Sequence, residues 1–261
     1  MRKVFLGSEA VNQGALTPHE LRRWNQRLFR DVYVPNEHEV SLRDRIEGAW
    51  LRSGRQGVIA GLAASTLHGA QWVDDDVLIE LIWGNTRSPS GLVVRNEALD
   101  DDEITRVAGI PVTTRVRTAF DLGRLLGRDE AVARLDALMR SQIFSVEDVM
   151  LLAERHRGAR GLKSLRNALR LVDGGAASPR ETWLRLLYID AGLPRPTTQI
   201  PIVEGRGRLV RMADMGWEKD IRSLRRARGL GWLVDQVIKE DRPADIVERA
   251  RTALITRGWK P

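Results

Sequence analysis

The chain has 261 residues, of which 43% are hydrophobic and 30% are charged, and its formal net charge is +7 at pH 7. Its length accommodates one large domain or two modest ones. Because it contains no cysteine, a disulfide framework and a cysteine-rich metal site are excluded. The first apolar run is broken at Gly7, so we expect no signal peptide. We therefore expect a cytoplasmic protein without a membrane partner.

Residues 1–40 are predicted to form two short helices followed by a hairpin. Ser8 is expected to cap the first helix, and residues 17–20 read Thr-Pro-His-Glu, a capping box with proline at the first helical position. Alternation from Leu28 to Val34 favours a strand or a hairpin. These elements are part of a winged-helix plan. However, the segment is too short for a separate recognition helix, so we do not expect it to recognise bases in a DNA groove. The alternative is a small cap packed on the next domain.

Residues 41–145 are predicted to form an α/β domain. Apolar spacing predicts helices from Leu42 to Trp50 and from Val58 to Leu67, the second one buried. Strands are expected at residues 77–83 and 91–95, and helices at 116–126 and 129–141. The acidic runs at residues 74–76 and 100–103 are interpreted as solvated turns, because neither has the spacing of a calcium loop. His68 is interpreted as a capping or core residue in preference to a metal ligand.

Residues 146–177 are predicted as a helical linker, and residues 178–261 as the C-terminal domain. A helix is expected from Ser178 to Asp190, followed by a strand at residues 197–203, a hairpin turn and a strand that contains Asp214. A basic helix at 219–228, a strand at 231–238 and a helix from residue 243 to about 257 complete the prediction. The last strand is expected either to pair with the Asp214 strand, which a strand–helix–strand crossover permits, or to lie unpaired at an edge.

Basic residues are concentrated in the last part of the chain. Residues 1–40 contain six Lys or Arg and five Asp or Glu, residues 41–150 contain 13 and 17, and residues 151–261 contain 23 and 13. A localised basic surface attracts phosphate backbones and releases their counterions. The residues predicted to contact nucleic acid are Arg160, Lys163, Lys219, Arg222, Arg225, Arg226 and Arg228.

Two groups of motifs carry a resemblance to known families. The segments Ser178–Leu187, Gly192–Pro196, the Asp214 strand, Gly231–Val234 and Glu240–Pro243 resemble actinobacterial proteins whose C-terminal domain is related to very-short-patch-repair endonucleases of the PD-(D/E)xK superfamily. The segments Gly61–Gly69, Gly109–Thr114 and Arg117–Asp121 are similar to AbiEi-type antitoxins of type IV toxin–antitoxin systems. The resemblance implies a DNA-associated protein, a repressor of its own operon in the antitoxin branch, with double-stranded DNA and a cognate toxin as partners.

One part of the nuclease pattern is missing from the chain. In such nucleases an Asp on one strand and further acids on the next hold a divalent metal that activates water. Asp214 matches the first acid and is the candidate metal ligand, and Glu181 matches a helix carboxylate. The strand with the second acidic motif is absent between Glu218 and Lys219, so Asp214 and Glu181 are vestigial catalytic candidates. We expect no cofactor, and Mg²⁺ only if the site is functional.

The predicted fold class is α/β (α+β), with a winged-helix-like N-terminal cap, an α/β middle domain and a degenerate restriction-endonuclease-like C-terminal domain. Three functions remain open. The first is a DNA-binding regulator of the antitoxin type with an inactive nuclease-like domain. The second is an active metal-dependent endonuclease, and the third is a deletion variant without a function of its own.

Overall fold

The computed structural model describes residues 3–84, 88–204, 208–217, 226–227, 231–232 and 235–261. The described helices are α1 (Gly7–Asn12), α2 (Pro18–Trp24), α3 (Leu42–Arg52), α4 (Gly61–Leu67), α5 (Arg115–Leu125), α6 (Arg128–Ser141), α7 (Val146–Arg155), α8 (Leu162–Leu169), α9 (Pro179–Asp190) and α10 (Pro243–Thr256). The described strands are β1 (Phe5–Leu6), β2 (Asn25–Phe29), β3 (Val32–Pro35), β4 (Val58–Ala60), β5 (Ile79–Ile82), β6 (Leu92–Arg95), β7 (Ile104–Val107), β8 (Ile110–Thr113), β9 (Thr197–Glu204), β10 (Arg208–Gly216), β11 (Arg226–Ala227) and β12 (Gly231–Trp232). This mixture of helices and sheets confirms the α/β fold class. No helix in the described ranges is both long and apolar enough to cross a membrane.

The N-terminal unit consists of β1, α1, α2 and the β2–β3 hairpin, with an antiparallel sheet in the order β1-β3-β2. The predicted capping box is present: the Thr17 hydroxyl accepts from the Glu20 amide at 3.2 Å, and the Glu20 carboxylate accepts from the Thr17 amide at 2.8 Å. The expectation for Ser8 is wrong, because α1 starts at Gly7, two residues earlier than a Ser8 cap implies, with Leu6 as its N-cap. Ser8 instead donates its amide and hydroxyl to Asp31 in the hairpin turn.

A mixed five-stranded sheet in the order β6-β5-β4-β8-β7 forms the centre of the next part of the chain. The single buried helix expected from Val58 to Leu67 is wrong, because its first three residues form strand β4 between β5 and β8. A continuous apolar run does not distinguish a buried strand from a buried helix, so the pairing partners decide. Strand β7, which pairs with β8, has no counterpart in the prediction.

Three clusters of buried side chains hold these elements together. The first joins the N-terminal unit to α3 and the five-stranded sheet, with Val34, Ile46 and Leu81 as fully buried members. The second joins α5, α6, α7 and α8 and also contains Leu186 of α9. The third contains Tyr188 of α9 with Leu193 and the apolar face of α10. Hydrophobic burial of this kind is the dominant favourable contribution to folding.

The C-terminal part differs from its prediction. Strand β10 carries Asp214 and pairs antiparallel with β9, whereas the two-residue strands β11 and β12 pair with each other in parallel. The expected pairing of the Asp214 strand with the last strand is therefore wrong within the described residues. The basic helix is also wrong at Arg226 and Ala227, which lie in β11. The narrow apolar stripe of that segment gives little periodic preference for a helix.

Candidate nucleic-acid interface

The two nuclease candidates lie on different elements of the C-terminal part. Glu181 is in the first turn of α9, where its carboxylate accepts from the Ala177 amide at 2.9 Å and from the Ser178 hydroxyl at 3.0 Å. These contacts satisfy polar groups at the helix start, a capping role that a carboxylate serves well. Asp214 is exposed on β10, on a strand whose next residue, Met215, packs against the third cluster. Their catalytic role stays a prediction.

A different group in the described ranges brings potential metal ligands together. The donor atoms of Asp100, Glu103 and His156 all lie within 4.8 Å of one another. However, the Arg155 guanidinium already contacts Asp100 at 2.5 Å and Glu103 at 3.4 Å, and Asp102 at 2.8 Å. Its hydrogen bonds hold the pKa of Asp102 below the usual range. The group is thus an ion-paired cluster whose negative charge Arg155 partly offsets.

The interpretation of residues 100–103 as a solvated turn is correct for the three exposed aspartates and wrong for Glu103, which is buried. Glu103 forms a salt bridge with the buried Arg117, and its carboxylate lies 2.6 Å from the His156 Nε2 atom. The interpretation of His68 is confirmed, since it is the C-cap of α4 and its Nε2 atom lies 2.7 Å from the Thr113 carbonyl oxygen. Burial lowers the pKa of His68.

A buried ion network surrounds Asp121 on α5. Its carboxylate accepts from Arg95 at 3.0 Å, from Arg117 at 3.2 Å and from Arg124 at 2.9 Å. Burial acts to raise the pKa of Asp121, but the three guanidinium groups outweigh it and the pKa is lowered. Glu80 on β5 lies 3.4 Å from Arg95, and burial raises its pKa. The segment Arg117–Asp121 therefore connects α5 to the sheet.

A small cavity of about 150 Å³ lies between Trp72, α6 and the start of α9. Asp136 lines it, and burial raises the pKa of this carboxyl to about 6. The Asp136 carboxylate already accepts from Arg185 at 2.5 Å, from Thr182 at 2.7 Å and from the Asp173 amide at 2.6 Å. With these donors in place, the cavity offers no unsatisfied acid to a ligand.

Part of the predicted basic surface is present around α8. Arg160 and Lys163 are exposed and have no ion pair within the part of the chain that the structure describes. Lys163, Arg166 and Arg170 point outward from α8, whose opposite side contributes Leu165 to the second cluster. Among the other predicted contacts, Arg226 lies in β11, whereas Lys219, Arg222, Arg225 and Arg228 lie outside the described residues.

The sequence reasoning missed a second basic surface, on the N-terminal unit. Arg22 and Arg23 on α2, Arg27 on β2 and Arg30 in the hairpin turn are all exposed. Their guanidinium groups have no carboxylate partner among the described residues. We call these four residues the N-terminal arginine surface.

The acids of the same unit explain why net charge concealed this surface. Glu9 pairs with Arg55 at 2.7 Å, Glu20 is held in the Thr17 capping box, and Asp31 accepts from Ser8. Residues 1–40 also contain Glu37 and Glu39, which follow β3. The net charge of residues 1–40 is therefore only +1. However, Glu9, Glu20 and Asp31 have other hydrogen-bond partners, and the four arginines form no ion pair with them within the described residues. The local capping signal at Thr17 could have indicated that Glu20 is occupied.

Comparisons with known proteins place the chain among sequences without a stated activity. No family model matches it. The chain is 30% identical over 208 residues to "Uncharacterized protein MT2308" and to "Uncharacterized protein Rv2248" from two strains of Mycobacterium tuberculosis, an alignment that covers 79% of this chain and 74% of each relative. Among solved structures it is similar to the RV2827C protein of M. tuberculosis, with a TM-score of 0.46, 16% identity, and coverage of 78% of this chain and 80% of that one.

Proposed function

Because the chain belongs to the family of the uncharacterized M. tuberculosis proteins Rv2248 and MT2308, whose names state no activity, we propose a function from its own surfaces. It is a double-stranded DNA-binding protein of the AbiEi antitoxin and transcriptional-regulator type, and its nuclease-like domain is inactive. The observation that carries this proposal is the N-terminal arginine surface, formed by Arg22, Arg23, Arg27 and Arg30. Four exposed guanidinium groups without carboxylate partners fit a phosphate backbone, since Arg binds phosphate through a bidentate fork.

The topology of the N-terminal unit supports DNA as the polyanion. Two helices followed by a hairpin, with the sheet order β1-β3-β2, follow a winged-helix plan. Leu21 of α2 is buried, whereas Arg22 and Arg23 point to solvent, so this helix presents a basic face. Helix α2 has seven residues and is about 10 Å long, which is short for a recognition helix that reads base edges. We therefore assign this surface phosphate contacts.

The face around α8 adds a second set of phosphate contacts. Arg160 and Lys163 are exposed and unpaired in the described part of the chain, and Arg170 extends the face along α8. Glu154 is 3.2 Å from Arg157 and 3.6 Å from Arg166, so it offsets only part of the positive charge. The proposal also includes five phosphate contacts on the basis of the sequence alone: Lys219, Arg222, Arg225, Arg226 and Arg228.

The proposal of an inactive nuclease-like domain is supported by the use of Glu181 as a cap and by the exposed position of Asp214. A divalent ion such as Mg²⁺ requires near-octahedral oxygen ligands, which two carboxylates alone supply poorly. A cognate toxin is the proposed protein partner, on the strength of the antitoxin-like motifs.

The test is a salt titration of DNA binding. The double variant Arg22→Ala/Arg27→Ala should lower the affinity for every duplex sequence and reduce the slope of log K against log salt by about two, since each lost phosphate contact removes about one unit. The matched control is Arg106→Ala/Arg242→Ala, which removes two exposed arginines from β7 and from the start of α10. Equal affinities and equal slopes for the two variants would refute the assignment.

A further inference from the structure

Trp24, the last residue of α2, is an exposed tryptophan next to Arg23 of the N-terminal arginine surface. Its side chain is 58% exposed, and the Arg23 guanidinium carbon lies 5.0 Å from its ring centroid. Large aromatic side chains contribute most of their free energy when they are buried, so an exposed one on a charged surface is a candidate contact residue.

The backbone around Trp24 is held in place before any ligand binds. The Asn36 amide donates to the Trp24 carbonyl at 2.9 Å, and the Asn36 side chain donates to the Arg23 carbonyl at 2.9 Å. These two bonds anchor the junction of α2 and β2 to the end of β3. The ring is thus presented by a fixed backbone, with an arginine on one of its sides, which lowers the entropic cost of binding.

The positive charge around Trp24 indicates an anionic partner. Arg22, Arg23 and Arg27 are all positive, exposed and without carboxylate partners among the described residues. A second copy of the same surface would bring like charges together, which disfavours self-association through it. Aromatic rings among unpaired cations are the arrangement with which proteins bind exposed bases, where the ring stacks on the base and the cations contact the backbone.

We propose that Trp24 stacks on an unpaired base. This surface therefore binds DNA that contains an unpaired or unstacked nucleotide more tightly than it binds an intact duplex. The inference rests on the proposed DNA-binding function and specifies its substrate class. In an intact duplex the ring would first have to unstack a base step, at a cost of a few kcal/mol. In DNA with a bulged base that cost is already absent, so stacking adds directly to phosphate binding.

The experiment compares two duplexes with the same base-paired sequence, one of which carries an additional, bulged 2-aminopurine in one strand. The wild-type protein should bind the bulged duplex about tenfold more tightly, within the range expected for base–aromatic stacking, and should quench the 2-aminopurine fluorescence. Trp24→Phe should keep most of the preference. Trp24→Leu should abolish both the preference and the quenching.

The outcomes separate this inference from the proposed function. If the wild-type protein binds both duplexes equally, or if Trp24→Leu keeps the preference, base stacking by Trp24 is refuted while duplex binding stands. If the wild-type protein binds neither duplex, both proposals fail. Sedimentation equilibrium provides the remaining check: a wild-type dimer that Trp24→Leu converts to a monomer would show that the ring belongs to an interface between copies and would overturn the inference.

Discussion

The carboxylate of Asp136 on α6 accepts a hydrogen bond of 2.5 Å from the guanidinium of Arg185 on α9, and both side chains are buried. Asp136 also accepts from Thr182 and from the Asp173 amide. The carboxylate therefore connects α6, α9 and the segment that joins α8 to α9. These donors satisfy the hydrogen-bonding capacity of a buried acid.

The stability of the protein should depend on the ionisation of Asp136. Burial raises the pKa of this carboxyl from 3.8 to about 6, against the opposing effect of Arg185. The folded state therefore binds the proton more tightly than the unfolded state, so the contribution is complete below pH 4 and is lost as the pH rises through about 6. Its size is about 3 kcal/mol for a shift of about two units. The measurement is urea unfolding of wild type and Asp136→Asn from pH 4 to pH 7.

In that titration the stability difference, wild type minus Asp136→Asn, should shrink as the pH rises, because only the wild-type residue loses a proton. A difference that grows with pH would mean that the ionised carboxylate is the stabilised form and that the three donors outweigh burial.

Asp121 should be among the residues whose removal costs most. Asp121→Ala leaves Arg95, Arg117 and Arg124 buried without their shared acid, so we expect a loss of about 3–5 kcal/mol in unfolding free energy. Asp76→Ala is the control, because Asp76 is exposed in a turn, and it should change stability by less than about 0.5 kcal/mol. Similar losses in the two variants would contradict a central role for the network.

Gly61 should be intolerant of any side chain. It has a φ angle of +59°, and a Cβ atom there would overlap the Glu80 carboxylate. Gly14 has a φ of +69° with nothing within 4 Å of such an atom, so it isolates the backbone effect. Gly14→Ala should cost about 1–2 kcal/mol from the left-handed conformation alone. Gly61→Ala should cost clearly more in the same thermal unfolding assay, and equal costs would show that the Glu80 carboxylate moves freely.

The α8 face should contribute to DNA binding without reading sequence. The double variant Arg160→Ala/Lys163→Ala should reduce the salt slope by about two, as expected for two phosphate contacts. It should lower affinity equally for unrelated duplexes, because phosphate contacts carry no base information. A loss confined to one sequence, or an unchanged slope, would remove this face from the interface.

No DNA cleavage should occur in Mg²⁺ or Mn²⁺, because Glu181 serves as a helix cap and Asp214 is an exposed single acid on β10. The assay is nicking of supercoiled plasmid over long incubation at high protein concentration. Cleavage that disappears in Asp214→Ala would overturn this expectation and support the metal-dependent endonuclease.

The sequence by itself determined the helices that carry local signals. The Thr17 capping box set the start of α2, and Ser178 and Pro179 set the start of α9, since the interacting groups lie within four residues of one another. The apolar spacing from Leu42 to Trp50 was sufficient to predict α3. These capping and spacing interactions are the same in any tertiary context that leaves the helix intact, so they can be predicted from the sequence.

The tertiary structure alone decided which apolar runs became strands and which charges remained free. Val58–Ala60 is a strand because Ile82 and Val112 lie on neighbouring strands, and Glu103 is buried because Arg117 and His156 meet it. These partners are between 14 and 53 residues away along the chain. Pairing and ion-pair energies depend on distances through space, which periodicity and net charge do not contain. The same reason hid the N-terminal arginine surface, since the sequence does not show which acids its cations can reach.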